Sequence, residues 1–241
     1  MKVYFITGAS KGIGFELAKQ LSEAGHFVVG VARTESELDG VKFIQADLSE
    51  TEKVESLVNE LITVSPQNAE SFTLINNAGI VDPIGLMGSV NAEQLTKAIA
   101  VNLTAPMIIS NAFISKLKDF EGNKRIVNIS SGAGRNAYEG WGTYCATKAG
   151  LDHFSRVVEI EQLSAENPVE IVSIAPGIID TGMQETIRSS NADSFPLLEQ
   201  FIDYKDQGLL SSAEQTAQKL ISFMEKVDFK DAGPIVDIRN Y

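Results

Sequence analysis

The chain is expected to fold as an α/β protein: one doubly wound domain around a seven-stranded parallel sheet, with helices on both faces. Three observations predict it. Seven short apolar runs punctuate the 241 residues. Most of them are separated by stretches of helical period. No Pro/Gly/Ser-rich linker, charge block or low-complexity segment divides the chain, so residues 1–241 read as a single domain. Strands separated by helices pair in parallel, because each crossover must return over the sheet. Right-handed crossovers then place helices on both faces.

The elements follow in order. VYFI, from Val3, reads as a buried strand, and Gly12 to Ala24 as a helix stopped by Gly25. FVVGVA (from Phe27) and KFIQA (from Lys42) are the second and third strands. Ser49 and Glu52 form a capping-box pattern ahead of an apolar stripe of Val54, Leu57, Val58, Leu61 and Ile62. FTLIN, from Phe72, is the fourth strand. A helical region from about Asn91 to Leu117 follows, interrupted near Asn102 and Pro106. RIVNIS (from Arg125), a helix over Trp141 to Leu163, and EIVSIA (from Glu170) come next. The segment from Asp180 to Leu210 has no clear period. Ser211 and Glu214 are expected to cap a further helix, and PIVDI, from Pro234, closes the sheet.

Composition excludes some partners. A net charge of −12 disfavours nucleic acid and anionic membrane surfaces. No stretch is expected to span a membrane, and the opening MKVYFITGAS lacks the apolar run of a signal peptide. The single Cys145 cannot form an internal disulfide, which suits a reducing compartment, and the expected location is cytoplasmic. His26 and His153 lack metal-ligand spacing, so no metal is expected. Cys145 itself reads as a small helix residue turned toward the sheet.

Ligands of such sheets bind beyond the carboxyl ends of the strands. There the first strand runs into TGASKGIG, with Gly8, Gly12 and Gly14. Small residues let backbone approach a pyrophosphate, and the helix starting at Gly12 aims free N–H groups at it.

This spacing, TGxxxGxG, resembles that of the short-chain dehydrogenase/reductase family, a Rossmann-type fold, and the resemblance covers nearly the whole chain. NNAG ends the fourth strand at Asn76 to Gly79, and YCATK supplies a YxxxK pair at Tyr144 and Lys148. Ser131 stands thirteen residues before the Tyr, Asn102 lies in VNL, and APGIIDTGM follows the sixth strand. GW-x-x-YC, DTGMQ, SAEQTAQKL and the closing VD are most similar to the sepiapterin reductase and bacterial benzil reductase group.

The resemblance implies a nicotinamide coenzyme held by Gly8, Ser10, Lys11, Gly12, Ile13 and Gly14, with Asp47 and Leu48 at the adenine. Asn77, Ala78 and Gly79, then Pro176, Gly177, Ile179, Thr181 and Met183, complete the implied contacts, together with Tyr144 and Lys148. The second strand ends VART, without the acid that holds a ribose 2′-hydroxyl in NAD enzymes. Arg33 and Lys11 would instead meet a 2′-phosphate, so NADP(H) is the expected cofactor.

Tyr144 and Lys148 are four apart, on one helical face. A carbonyl accepting hydride needs a proton on its oxygen, and a phenol brought toward neutrality could give one. Lys148 and the oxidised nicotinamide's charge are expected to lower the phenol's pKa. By resemblance, Ser131 holds the substrate carbonyl, Lys148 also binds the nicotinamide ribose, and Asn102 holds a water leading to Lys148. Trp141, Met183 and Phe195 are candidates for an apolar substrate pocket, and Asp237 for a contact with the substrate. The 180–210 segment is expected to be a lid. The expected activity is NADPH-dependent reduction of a ketone or 1,2-dicarbonyl, a small-molecule carbonyl substrate. Alcohol oxidation and a catalytically silent NADP(H)-sensing regulator are the alternatives. A homodimer or homotetramer would match the family, though no sequence feature selects either.

Overall fold

The computed structural model describes residues 1–34 and 36–241. Seven strands form one parallel sheet: β1 (Lys2–Thr7), β2 (Phe27–Ala32), β3 (Val41–Gln45), β4 (Ser71–Asn76), β5 (Asn123–Ile129), β6 (Glu170–Ala175) and β9 (Ile235–Asp237). Their order is β3-β2-β1-β4-β5-β6-β9. The chain winds outward from β1 in one direction and, after β4, in the other. The crevice at this reversal lies between the carboxyl ends of β1 and β4.

The strands are nearly continuous apolar runs because both faces are covered. Period-2 alternation divides their side chains between two cores. Val3 and Phe5 point into one, beneath α2 (Thr51–Thr63) and α4 (Ala105–Lys116). Tyr4 and Ile6 point into the other, beneath α1 (Gly12–Glu23) and α8 (Ala213–Lys226).

Several local expectations are corrected. Ser49 and Glu52 form no capping box: α2 starts after Glu50 without a side-chain cap. The Ser49 N–H and hydroxyl instead both donate to Asp47 Oδ1, at 2.9 and 2.8 Å. The box on α8 is one residue later than expected, between Ser212 and Gln215, and Ser212 also ends a short strand, β8 (Ser211–Ser212). The helical region over 92–116 runs on through α3 (Ala92–Ile99), a π-helical turn (Ala100–Thr104) and α4. Pro106 lies in the first turn of α4, directly after the π-helical turn. This 25-residue run is long and apolar enough to cross a membrane, contrary to expectation. Half of its most apolar stretch is buried inside the protein, and α4 packs on α2.

The segment from 180 to 210 is also more regular than its sequence suggests. It contains α6 (Gly182–Arg188) and α7 (Leu198–Asp206). A two-stranded parallel pair, β7 (Ile179–Asp180) with β8, closes it at the base. Asp180 accepts from Lys205 and lies 3.7 Å from the Arg188 guanidinium, so one carboxylate ties both helices to that base.

Candidate active site

The two loops at the sheet reversal lock into each other. Thr7 Oγ1 accepts the Asn77 and Ala78 N–H groups at 3.0 and 3.1 Å. Asn77 Nδ2 donates back to the Thr7 and Gly8 carbonyls at 2.9 and 3.2 Å. Such proximity demands glycine. A Cβ on Gly14 would stand 2.3 Å from the Gly8 oxygen, and Gly8 itself has φ +69°. A concave bed of backbone results, which fits the pyrophosphate of a dinucleotide.

A cleft of about 470 Å³ runs across this bed. Gly8, Ser10, Lys11, Gly12 and Ile13 line it, as do Asn77, Ala78 and Gly79. Gly14 lies behind, on α1, where it sets the approach of helix to loop. Arg33, Asp47 and Leu48 form one end, while Pro176, Gly177, Ile179, Thr181 and Met183 form the wall after β6. Hydrogen bonds from Ser49, the backbone N–H first, hold the Asp47 carboxyl below its usual range. Lys11 Nζ approaches Gly182, a Cβ there being 4.0 Å away, so this cation lies between glycine loop and α6. Lys97, from α3, lines the cleft as a third cation that the sequence reading missed.

At the other end, α5 (Gly142–Gln162) carries Tyr144 and Lys148 into the interior, where both are buried. Lys148 Nζ donates to the Ile129 carbonyl at 2.7 Å and stands 5.7 Å from the Tyr144 ring centre. Ser131, just past β5, lines the same space, and its hydroxyl accepts the Ala133 N–H at 3.1 Å. The expected descent of the Tyr144 pKa is not produced by the protein's own groups. Burial pushes it up to about 12, while the Ser131 hydroxyl pulls the other way. Burial also pushes the Lys148 ammonium down to about 8, opposed by the Asp152 carboxylate. Desolvation outweighs the neighbouring charges at both groups.

Asn102 lies in the π-helical turn and does not line the cleft. Its amide accepts the Ile80 N–H and donates to the Ile80 carbonyl, both at 2.8 Å. Gly79 lies between it and Lys148: a Cβ there would stand 3.5 Å from Asn102 Oδ1 and 3.6 Å from Lys148 Nζ. The glycine leaves space where a water could join the two.

The region beyond Tyr144 is aromatic. Trp141 stacks on Phe195 at 5.0 Å and meets Tyr144 edge-on at 5.5 Å. Trp141 and Met183 line the cleft; Phe195 is fully buried behind Trp141 and supports it without lining the cleft. Cys145 packs against this aromatic cluster rather than turning to the sheet, because α5 is sandwiched between the sheet and the 181–210 segment. Asp237 also departs from expectation. Its carboxylate accepts Arg239 Nε at 2.9 Å and Nη2 at 2.5 Å, and Arg239, not Asp237, lines the cleft. Gln184, Tyr138 and Tyr204 line it as well and were missed: Gln184 ends the DTGMQ stretch but was given no role there, and Tyr138 and Tyr204 arrive from segments without a recognisable motif.

Residues 2–192 match the short chain dehydrogenase family. The chain belongs to that family. It is an oxidoreductase of the short-chain dehydrogenase type, whose members use NAD(P)(H). It is 39% identical to the benzil reductase ((S)-benzoin forming) of Bacillus subtilis, over the full length of both chains. It is 30% identical to the sepiapterin reductase of Mus musculus, over 97% of this chain and 95% of that one. Among solved structures, the KRED1-Pglu enzyme superposes with a TM-score of 0.85 at 26% identity, over 98% of this chain and all of that one. This short-chain dehydrogenase is also similar to 4-hydroxyisoleucine dehydrogenase complexed with NADH, with a TM-score of 0.80 at 25% identity, over 98% and 96% of the two chains.

Proposed function

We propose that the chain is an NADPH-dependent carbonyl reductase that transfers hydride to a ketone or 1,2-dicarbonyl bearing aromatic groups. The observation that carries this reading is the placement of Tyr144, Lys148 and Ser131 between a dinucleotide bed and an aromatic pocket. When bound, the nicotinamide supplies the hydride. The chain's own residues do the rest. Ser131 and Tyr144 direct hydroxyls at the carbonyl oxygen, and Tyr144 delivers its proton there as the carbon is reduced. Lys148 holds the ribose and stabilises the phenolate left behind, while Asn102 and Gly79 provide the route for a water to restore the proton. The wall of Trp141, Phe201 and Ile187 excludes bulk water and fits aryl substituents.

Lys11 and Arg33, with no acid at the end of β2, support NADPH over NADH. The benzil reductase relatives favour a diketone as substrate. The Asp237–Arg239 pair also favours it over a pteridine, since the carboxylate already accepts from the guanidinium. Coenzyme oxidation with benzil, sepiapterin and simple aldehydes tests this reading. Benzil should be reduced most efficiently, and with NADPH. Arg33→Ala should raise the Michaelis constant for NADPH roughly 10-fold or more and leave that for NADH nearly unchanged. Equal efficiency with both coenzymes would overturn the coenzyme assignment. Tight NADPH binding without turnover of any carbonyl would turn the chain into a sensor.

A further inference from the structure

Lys148 is an ammonium buried to 3% exposure, and burial of an unpaired ammonium is costly. The carboxylate that acts on its charge is not among the residues lining the cleft. Asp152 lies one turn further along α5, also 3% exposed, on the same helical face. The mechanism above makes no use of it. Its two oxygens are nevertheless fully engaged: Oδ1 accepts the Ser173 hydroxyl at 2.6 Å, and Oδ2 accepts Arg135 Nε at 3.1 Å. Arg135 follows the turn Gly132–Gly134 that Ser131 opens, and its Nη2 donates to the Val236 carbonyl at 3.0 Å. The same turn presses on Lys148: a Cβ on Gly134 would stand 2.9 Å from the Lys148 carbonyl oxygen. One carboxylate thus joins the helix of Tyr144 and Lys148, the turn of Ser131, β6 and β9.

Groups from several elements surround Lys148. The π-helical turn offers the neutral amide of Asn102, and β5 offers the Ile129 carbonyl. The turn after β5 offers Ser131 and, behind it, the Arg135 cation, while α5 offers the neutral Tyr144 phenol and the Asp152 anion. Of these named neighbours only Asp152 is anionic, and Arg135 partly neutralises it.

We propose that Asp152 is a positioning residue that keeps the Lys148 ammonium charged and in place, and that Arg135 sets how strongly it does so. This rests on the role given to Lys148 above. Asp152 does not touch substrate or coenzyme; it acts through Lys148 alone.

The two partners make opposite predictions, which a merely structural role would not. Asp152→Asn keeps the shape and an oxygen for Ser173 but removes the anion. Lys148 should then lose its proton at lower pH, and the alkaline limb of kcat/KM should move down by about one unit. Arg135→Gln removes the cation that offsets Asp152, so the limb should move up. Asp152→Glu should restore the parent limb in part. The Lys148 titration can be followed by NMR in the coenzyme-free protein, independently of turnover. NMR titrations displaced in opposite directions establish the inference. If they are displaced while the rate profile stays still, Asp152 governs Lys148 but Lys148 is not the group limiting catalysis. Unchanged titrations, or displacement of both variants in the same direction, overturn the inference. Should Asp152→Asn fail to fold, the upward shift in Arg135→Gln decides alone.

Discussion

At the scale of single residues, the phenol of Tyr144 is the group on which the proposed chemistry depends. Its environment strongly favours the neutral form, so the proton to be delivered is present throughout the neutral range. The cost falls on the reverse demand, a phenolate in a dry pocket, which is why a nearby ammonium and the Ser131 hydroxyl matter. Tyr144→Phe keeps the ring that packs edge-on against Trp141 and removes only the hydroxyl. Turnover should fall roughly 10²- to 10⁴-fold, the usual contribution of a general acid, with coenzyme affinity nearly intact. Single-turnover rates and NADPH titration would check both halves. A loss of only a few-fold would remove Tyr144 from the chemistry.

At the scale of elements, the segment between β7 and β8 separates what could be read from the chain and what could not. The sheet strands were legible because parallel strands covered on both faces need unbroken apolar runs. The glycine loop, NNAG, Ser131 and the Tyr144–Lys148 pair were legible because each is local, with fixed spacing. Helices α6 and α7 were not: they have only 7 and 9 residues, and each buries only one or two side chains, so no stripe emerges. The caps were misplaced by a residue or lost because Ser49 had a better partner in Asp47. Lys97 and Arg239 were invisible because each reaches the cleft from an element whose position only the fold determines. The lid reading is expected to survive in a modified form, as two short helices moving on a fixed base. Amides of 182–206 should exchange more slowly when NADPH is bound, while those of β7 and β8 change little. Equal exchange across 182–206 with and without coenzyme would remove the lid.

At the scale of the whole molecule, the site is maintained at the expense of stability. Lys148 is displaced from an ordinary 10.5 to about 8, so an unfolding chain takes up a proton in that interval. The folded state therefore gains stability from this group as pH rises from about 8 to 10.5, and carries its full penalty below. That penalty is on the order of 3 kcal/mol at about 1.4 kcal/mol per pH unit. Lys148→Met, similar in length and apolar, should be inactive yet more stable at pH 7, with its melting temperature raised by several degrees. The advantage should shrink toward pH 10, as the parent's folded-state lysine becomes neutral and no longer carries a buried charge. Denaturation of the two proteins at pH 7 and pH 10 provides the check. A variant less stable than the parent at pH 7 would mean that the contacts of Lys148 outweigh its desolvation.

The short pairing of β7 with β8 has a consequence for how such an enzyme can change its substrate. Ile179 and Asp180 stand beside Ser211 and Ser212 in a pair of their own, so everything between departs and returns at one point. The excursion is a cassette. Closing a flexible loop of twice the length costs only about 0.6 kcal/mol more, and neither of the two main cores would register the exchange. A reductase built this way can alter its pocket by replacing roughly thirty residues as a block, while the glycine bed, Tyr144 and Lys148 stay where they are.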